Sequence, residues 1–294
     1  MYIPFLGILL FIVPTPLIII GKKYGVKYAL MSLVAASIVM ISFSSPLTAI
    51  FIIAIPGIPA LVAGILLRKK MKPYYILGAT TIAGICTTVF SIFLASEIMG
   101  VSIIENMQEI FRQSLDIQEY MYSITGANAE SMEKVEEMMK MMSDMVTVII
   151  PSAIIMAAFF SSYVNYTLAT LVLKRTGYSV DRFKPFRYFR LSKNAVQGIL
   201  VIGILSILAG YLDIVDQQTL IINVYLLGQL VFMLQGLAVV LYFLNYYKIS
   251  KILRIIIIVF LILNKMGGMA LLVIGLVDIF INMRKYKEEN ESNL

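Results

Sequence analysis

Apolar runs long enough to cross a bilayer recur along the chain, separated by short polar gaps that hold most of its positive charge. A helix needs roughly 20 apolar residues to cross the ~30 Å hydrocarbon core. These runs are apolar on every face, whereas a membrane barrel strand would alternate. The pattern predicts spans over 3–20, 28–43, 47–67, 74–98, 146–173, 195–212 and 219–246. The last stretch, 252–283, reads as a hairpin of two short arms turning at Asn264-Lys265-Met266-Gly267-Gly268. Paired glycines weaken a helix, and a lysine in mid-span is costly. The expected fold is all-α: a polytopic transmembrane helical bundle of about eight or nine crossings with an extracytoplasmic amphipathic helical loop.

Proline adds local detail. Pro14 and Pro16 in the first run, and Pro56 and Pro59 in the third, predict broken helices, because proline removes a backbone donor. Pro151 predicts a bend at the entry of the fifth span. The expected organisation is an N-terminal four-span half (1–98), an acidic, methionine-rich outer segment (99–145), a C-terminal helical half (146–285) and a polar tail (286–294).

Charge sets the expected orientation. Twenty of the 24 Lys and Arg residues flank the runs at 22–27, 68–72, 174–193, 248–254 and 284–287, while nine of the 17 acids fall within 102–145. Positive charge beside spans marks the cytoplasmic side, so the N-terminus is expected outside and the C-terminus inside. The first run lacks a basic leader and a small-residue cleavage site, and reads as a span.

Composition agrees: 60% of the 294 residues are hydrophobic and 14% charged, with mean hydropathy +0.90. A soluble domain would carry about 25% charged residues. The net charge of +7 is spread over loops beside spans, so no nucleic-acid partner is expected. With no His and one Cys, neither a metal centre nor a disulfide framework is expected, and Cys86 reads as a buried structural thiol. No Walker A or Gly-rich nucleotide loop occurs. The chain reads as a non-enzyme without cofactors.

Several features could carry function. Gly57, Ala60 and Gly64 form a small-residue stripe, as do Ala79 and Ala83 beside Gly84, suited to close helix packing or to a partner helix. Asn165, Tyr166, Gln229 and Asp278 are polar positions inside apolar runs and are the candidate ligand pocket. Asn165 could instead pair across helices with a glutamine. Asp278 could pair with Arg284 or Lys285, or couple to a proton or cation. The basic segment 174–194 interleaves Phe183, Phe186, Tyr188 and Phe189 with Arg182, Lys184, Arg187 and Arg190. Such a mixture suits an anionic headgroup layer or a docked cytoplasmic partner. Met132, Met138, Met139, Met142 and Met145 fall at helical spacing; without His or Cys they read as an adaptable apolar helix face in preference to a copper relay.

The order of these features resembles a known family. Pro14-Thr15-Pro16-Leu17 closes the first run, and an acidic segment leads through Pro151. Lys174-Arg175-Thr176-Gly177-Tyr178, Pro185-Phe186-Arg187 and Phe189-Arg190-Leu191 follow, and Gly275 to Lys285 closes the chain. This resembles the YybS family of bacterial membrane proteins over nearly the whole chain. At longer range the architecture is similar to the substrate-binding S components of energy-coupling-factor importers. That likeness implies a small-molecule-binding subunit docked on a transmembrane coupling protein with ATPases. The alternative is a non-transporting scaffold or regulator acting through the outer amphipathic helices and the basic cytoplasmic segment.

Overall fold

The computed structural model describes residues 12–100, 129–211 and 216–284, with the single positions 106, 109, 110 and 113. Every regular element among them is a helix: α1 (Pro14–Lys23), α2 (Val26–Ile41), α3 (Pro46–Arg68), α4 (Pro73–Met99), α5 (Ala129–Arg175), a 3-10 turn (Phe186–Tyr188), α6 (Lys193–Tyr211), α7 (Gln217–Tyr246), α8 (Lys251–Leu263) and α9 (Lys265–Ile281). The start of the first expected span, most of the outer segment and the C-terminal tail lie outside the described residues. The chain divides into two units, residues 1–182 and 183–294.

Among the described residues, four helical stretches can cross a membrane by length and composition: Ala49–Arg68, Pro73–Ile98, Met145–Arg175 and Gln217–Tyr246. The bent pair α8–α9 supplies a fifth if counted as one span. The surface fits a lipid solvent. Ile38, Ile82, Leu200 and Phe260 are each about 60% exposed on α2, α4, α6 and α8, whereas a water-facing monomer rarely shows such contiguous apolar area. The interior holds polar groups as well: Thr80, Thr87 and Ser91 lie on the buried line of α4 with Ile76 and Ala95. The Thr80 and Thr87 hydroxyls donate to their own helix carbonyls at Ile76 and Ala83, which meets their hydrogen-bonding need without a partner helix.

The expected break at Pro56 and Pro59 is corrected. α1 begins at Pro14, where the missing N–H would have had no intrahelical acceptor. α3 runs unbroken through Pro56 and Pro59, and α5 through Pro151. In a membrane bundle neighbouring helices and local adjustment satisfy the carbonyls that proline frees. α5 has 47 residues, about 70 Å at 1.5 Å per residue, and continues through residue 145, where the outer segment was expected to end. In the N-terminal part of α5, Met138, Met141, Met142 and Met145 are each at least half exposed.

Within the first unit, α3 buries Ala49, Ile53, Gly57, Ala60, Gly64 and Leu67 along one line. Gly57 faces Leu33 of α2, and Gly64 faces Gly21 of α1. A Cβ on Gly64 would sit 3.0 Å from the Gly21 Cα, so this crossing requires glycine. On α4 the buried small residue is Gly84, against Ala158, while Ala79 and Ala83 are only partly buried. The C-terminal ends of α1 and α3 meet, with Lys22 Nζ donating to the Leu67 carbonyl at 3.0 Å. Burial foremost, then the nearby Lys70 and Arg68 charges, push the Lys22 ammonium below the ordinary lysine value. Cys86 is exposed, which corrects its reading as a buried thiol; it faces outward from α4.

The expected turn of the last stretch falls at Asn264, but the two arms meet at 98° instead of folding back side by side. Asn264 has an extended backbone, and its side chain accepts from the Met266 N–H at 2.9 Å. That cap restarts the helix immediately, so Gly267 and Gly268 lie in the first turn of α9. A Cβ on Gly267 would approach the Leu261 carbonyl oxygen to 2.5 Å, so this glycine lets the two arms meet closely.

Candidate functional site

The second unit is organised around one close helix crossing. A Cβ on Gly236 of α7 would collide with the Leu271 carbonyl oxygen, and one on Gly275 of α9 with that of Phe232. Only glycine at both positions lets the two backbones touch. The approach brings Gln235, beside Gly236, onto Asp278, one turn beyond Gly275; both side chains are 0% exposed.

Asp278 Oδ2 accepts from Gln235 Nε2 at 2.6 Å and from Arg284 Nη2 at 2.8 Å. Arg284 is 7% exposed. On a straight helix, positions six apart do not share a face. Here Asn282 adopts the left-handed conformation (φ 53°) and ends α9, with its N–H on the Asp278 carbonyl. The chain turns back there, and Arg284 reaches the carboxylate.

The network leads out of the helices into the 186–191 segment. Gln235 Oε1 accepts the Leu191 N–H at 3.0 Å. Arg284 Nη1 donates to the carbonyls of Arg187 (3.1 Å) and Phe189 (2.8 Å). Three backbone groups of an irregular segment are thus held by buried side chains, which meet the hydrogen-bonding need that regular structure would otherwise meet. Aromatic contacts add to the hold: the Phe186 and Phe189 rings stack at 5.6 Å, and Tyr188 meets Tyr242 of α7 edge-on at 6.5 Å. The Arg187 guanidinium lies 4.9 Å from the Tyr188 ring centroid, a cation–π distance. Lys184 and Arg190 point away from the fold and are exposed. Asp278 Oδ1 and Arg187 Nε are buried with no hydrogen-bond partner among the described residues.

The candidate pocket residues are distributed over both units. In the first, Asn165 Oδ1 accepts from Thr15 Oγ1 at 2.9 Å and its Nδ2 donates to the Ser161 carbonyl at 2.8 Å. Its cross-helix partner is a threonine of α1, not the expected glutamine. Tyr166, 1% exposed, donates its hydroxyl to the Asp181 carbonyl at 2.7 Å, tying the chain after α5 back onto the helix. Arg182, in the same unit, is exposed, with Nη2 3.5 Å from the Thr170 carbonyl. In the second unit, Gln229 is half-buried on α7, and Asp278 sits in the network above. An open apolar groove of about 820 Å³ lies along α3 and α4, lined by Ile58, Ile85, Cys86, Val89, Phe90 and Phe93 with Thr87; it includes none of the four. Among the described residues, no three His, Cys, Asp or Glu side chains gather as a metal-binding group.

Two residues of the network, Gln235 and Arg284, were not among the candidate site positions. The signal for Gln235 was its neighbour Gly236: a polar side chain beside a helix-contact glycine lies at an interface.

The membrane-spanning character has a counterpart among known proteins. Residues 1–279 match the family described as "Predicted membrane protein (DUF2232)". The chain belongs to this family. It is also similar to "Uncharacterized protein YybS" of Bacillus subtilis (strain 168), with 27% identity over 287 residues covering 96% of this chain and 91% of the relative. The network residues Gln235 and Asp278 both fall within the family match. No solved structure matches the chain.

Proposed function

We propose that this integral membrane protein is a non-enzymatic scaffold or regulatory subunit. It presents the cationic, aromatic segment 184–190, with Arg182 adjoining in sequence, as a docking surface on the cytoplasmic side of a bacterial cell membrane. The observation that carries this reading is the destination of the buried network: Arg284 ends on backbone carbonyls of that segment, and Gln235 on the amide of Leu191 directly after it. A segment fixed from below, with Lys184 and Arg190 left outward, is pre-organised for an acidic partner and loses little conformational freedom on binding. Its sidedness rests on charge. The C-terminal ends of α1, α3, α7 and α9 are each followed by lysine or arginine, and such ends favour the cytoplasm.

The competing reading is a small-molecule-binding subunit, similar to S components, docked on a coupling protein with ATPases. It requires Asn165, Tyr166, Gln229 and Asp278 to face a ligand. Three of them use polar atoms in internal hydrogen bonds, so the docking reading is better supported.

The test is purification of tagged full-length protein from gently solubilised membranes, after cross-linking in cells, with mass spectrometry of what accompanies it. The Lys184→Glu/Arg190→Glu variant is run alongside; both side chains are exposed, so the fold should persist. Docking predicts a stoichiometric protein that the variant loses. Identical recovery from both would refute docking through this segment. Recovery of a coupling protein with ATPases from both would favour substrate capture.

A further inference from the structure

We infer that α8 and α9 form a re-entrant pair that enters and leaves the membrane on one face, with its apex at Asn264-Lys265 near the bilayer midplane. Three contacts fix where the arms begin and end. α8 starts only a few residues after α7, and the turn between them is tight: the Ile249 N–H bonds the Leu244 carbonyl, and Lys248 is left-handed (φ 52°). The far end of α9 returns to that same end of α7. Arg284 binds the carbonyls of Arg187 and Phe189, and Tyr188 between them packs on Tyr242, near the C-terminus of α7. The other end of α9 lies against the middle of α7: a Cβ on Gly268 would sit 3.4 Å from Met233 Cε. Along α9, the order Gly268, Gly275, Arg284 therefore follows Met233, Gly236, Tyr242 along α7. The two helices run in the same sense, and α8 is the return stroke.

Length decides between a full hairpin and a re-entrant one. α8 has 13 residues and α9 has 17, roughly 20 Å and 25 Å at 1.5 Å per residue. Two arms of those lengths meeting at 98°, with both ends at one face, put the apex about 15 Å deep, half of the ~30 Å core. Met233 is 13 positions before Tyr246, roughly 20 Å along α7, which agrees with an apex near mid-depth. A lysine at that depth is unfavourable against lipid alone, and non-helical backbone there is tolerated where it meets protein or water. The exposed Lys265 therefore faces an aqueous cleft or a neighbouring protein surface.

The test is accessibility of single cysteines to a membrane-impermeant thiol reagent in a Cys86→Ser background, using full-length protein in right-side-out and inside-out vesicles. Lys251→Cys reports the start of α8, Asn290→Cys the chain after α9, and Met266→Cys the apex, each with a denatured control for reactivity. A re-entrant pair places 251 and 290 on the same face and leaves 266 unlabelled from the opposite face. Labelling of 251 and 290 from opposite faces would make α8–α9 one broken span and overturn the inference. Labelling of 266 from the face opposite 251 would make it a complete hairpin and overturn it equally. Neither readout depends on the docking proposal.

Discussion

Replacing Asp278 with leucine should be among the most damaging single changes available in this chain. The carboxylate is fully buried and receives two hydrogen bonds, from Gln235 at 2.6 Å and Arg284 at 2.8 Å. Its loss leaves the Arg284 guanidinium, 7% exposed, without its counter-charge and leaves Gln235 Nε2 without an acceptor. Removing one partner of a buried ion pair costs about 3–5 kcal/mol, whereas replacing both with apolar groups is often nearly neutral. Arg284 also holds two backbone carbonyls, so the Asp278→Leu/Arg284→Met double variant should recover only part of the loss. The assay is thermal unfolding of detergent-purified protein by far-ultraviolet circular dichroism, since the chain has no Trp to serve as a fluorophore. The expected fall in Tm for Asp278→Leu is on the order of 10 °C, using about 2–4 °C per kcal/mol, with the double variant above the single. A single variant within about 0.5 kcal/mol of wild type, the range of ordinary surface substitutions, would refute the reasoning.

Three further outcomes follow from the same geometry. Gly236→Val and Gly275→Val each push a side chain into the opposing backbone, and neither should yield monodisperse protein in size-exclusion chromatography, while Gly198→Ala, with open space around it, should. Thr15→Val and Asn165→Leu should each lower stability by about 0.5–1.5 kcal/mol, the net worth of one hydrogen bond. Their effects should be less than additive in a double-mutant cycle on Tm, because they remove the same bond. At the start of α7, the Asp216 carboxyl accepts from Thr219, and its hydrogen bonds to that residue hold it below the usual carboxylate range. A depressed folded-state value means this cap stabilises the helix above the unfolded value and is lost as pH falls through the folded one. Hydrogen exchange in the first turn of α7 should therefore rise at low pH relative to Asp216→Asn measured at the same pH.

The helices were legible because a membrane solvent makes hydrophobicity nearly sufficient: α3, α4 and α7 follow the apolar runs closely. Proline in α3 was misread because the rule that it breaks helices assumes freed carbonyls with no other partner, whereas a membrane bundle can satisfy them. The break at Asn264 was legible from the Asn-Lys-Met-Gly-Gly composition, but its 98° angle was not, since the cap that restarts α9 lets both glycines remain helical. At the site, the proximity of Asp278 to a base was visible in the sequence. The pairing itself depends on the left-handed Asn282, which periodicity does not reveal. Gln235 is not marked out by helical periodicity, because its partners come from α9 and from Leu191, more than 40 positions away along the chain. Thr15 lies between two prolines, and nothing in the local pattern pairs it with Asn165, 150 positions away.

Polar side chains buried in α7 and α9 hold the 186–191 segment. Hydrogen exchange of that segment, measured by mass spectrometry on nanodisc-embedded wild-type and Asp278→Asn protein, tests this most directly. The conservative variant keeps the side-chain volume and removes the charge that orients Arg284 and Gln235. Slow exchange is expected at the Leu191 amide in wild type, with a marked rise across 186–191 in the variant, while the middle of α7 stays protected. Unchanged exchange in the segment, with α7 equally intact, would contradict it.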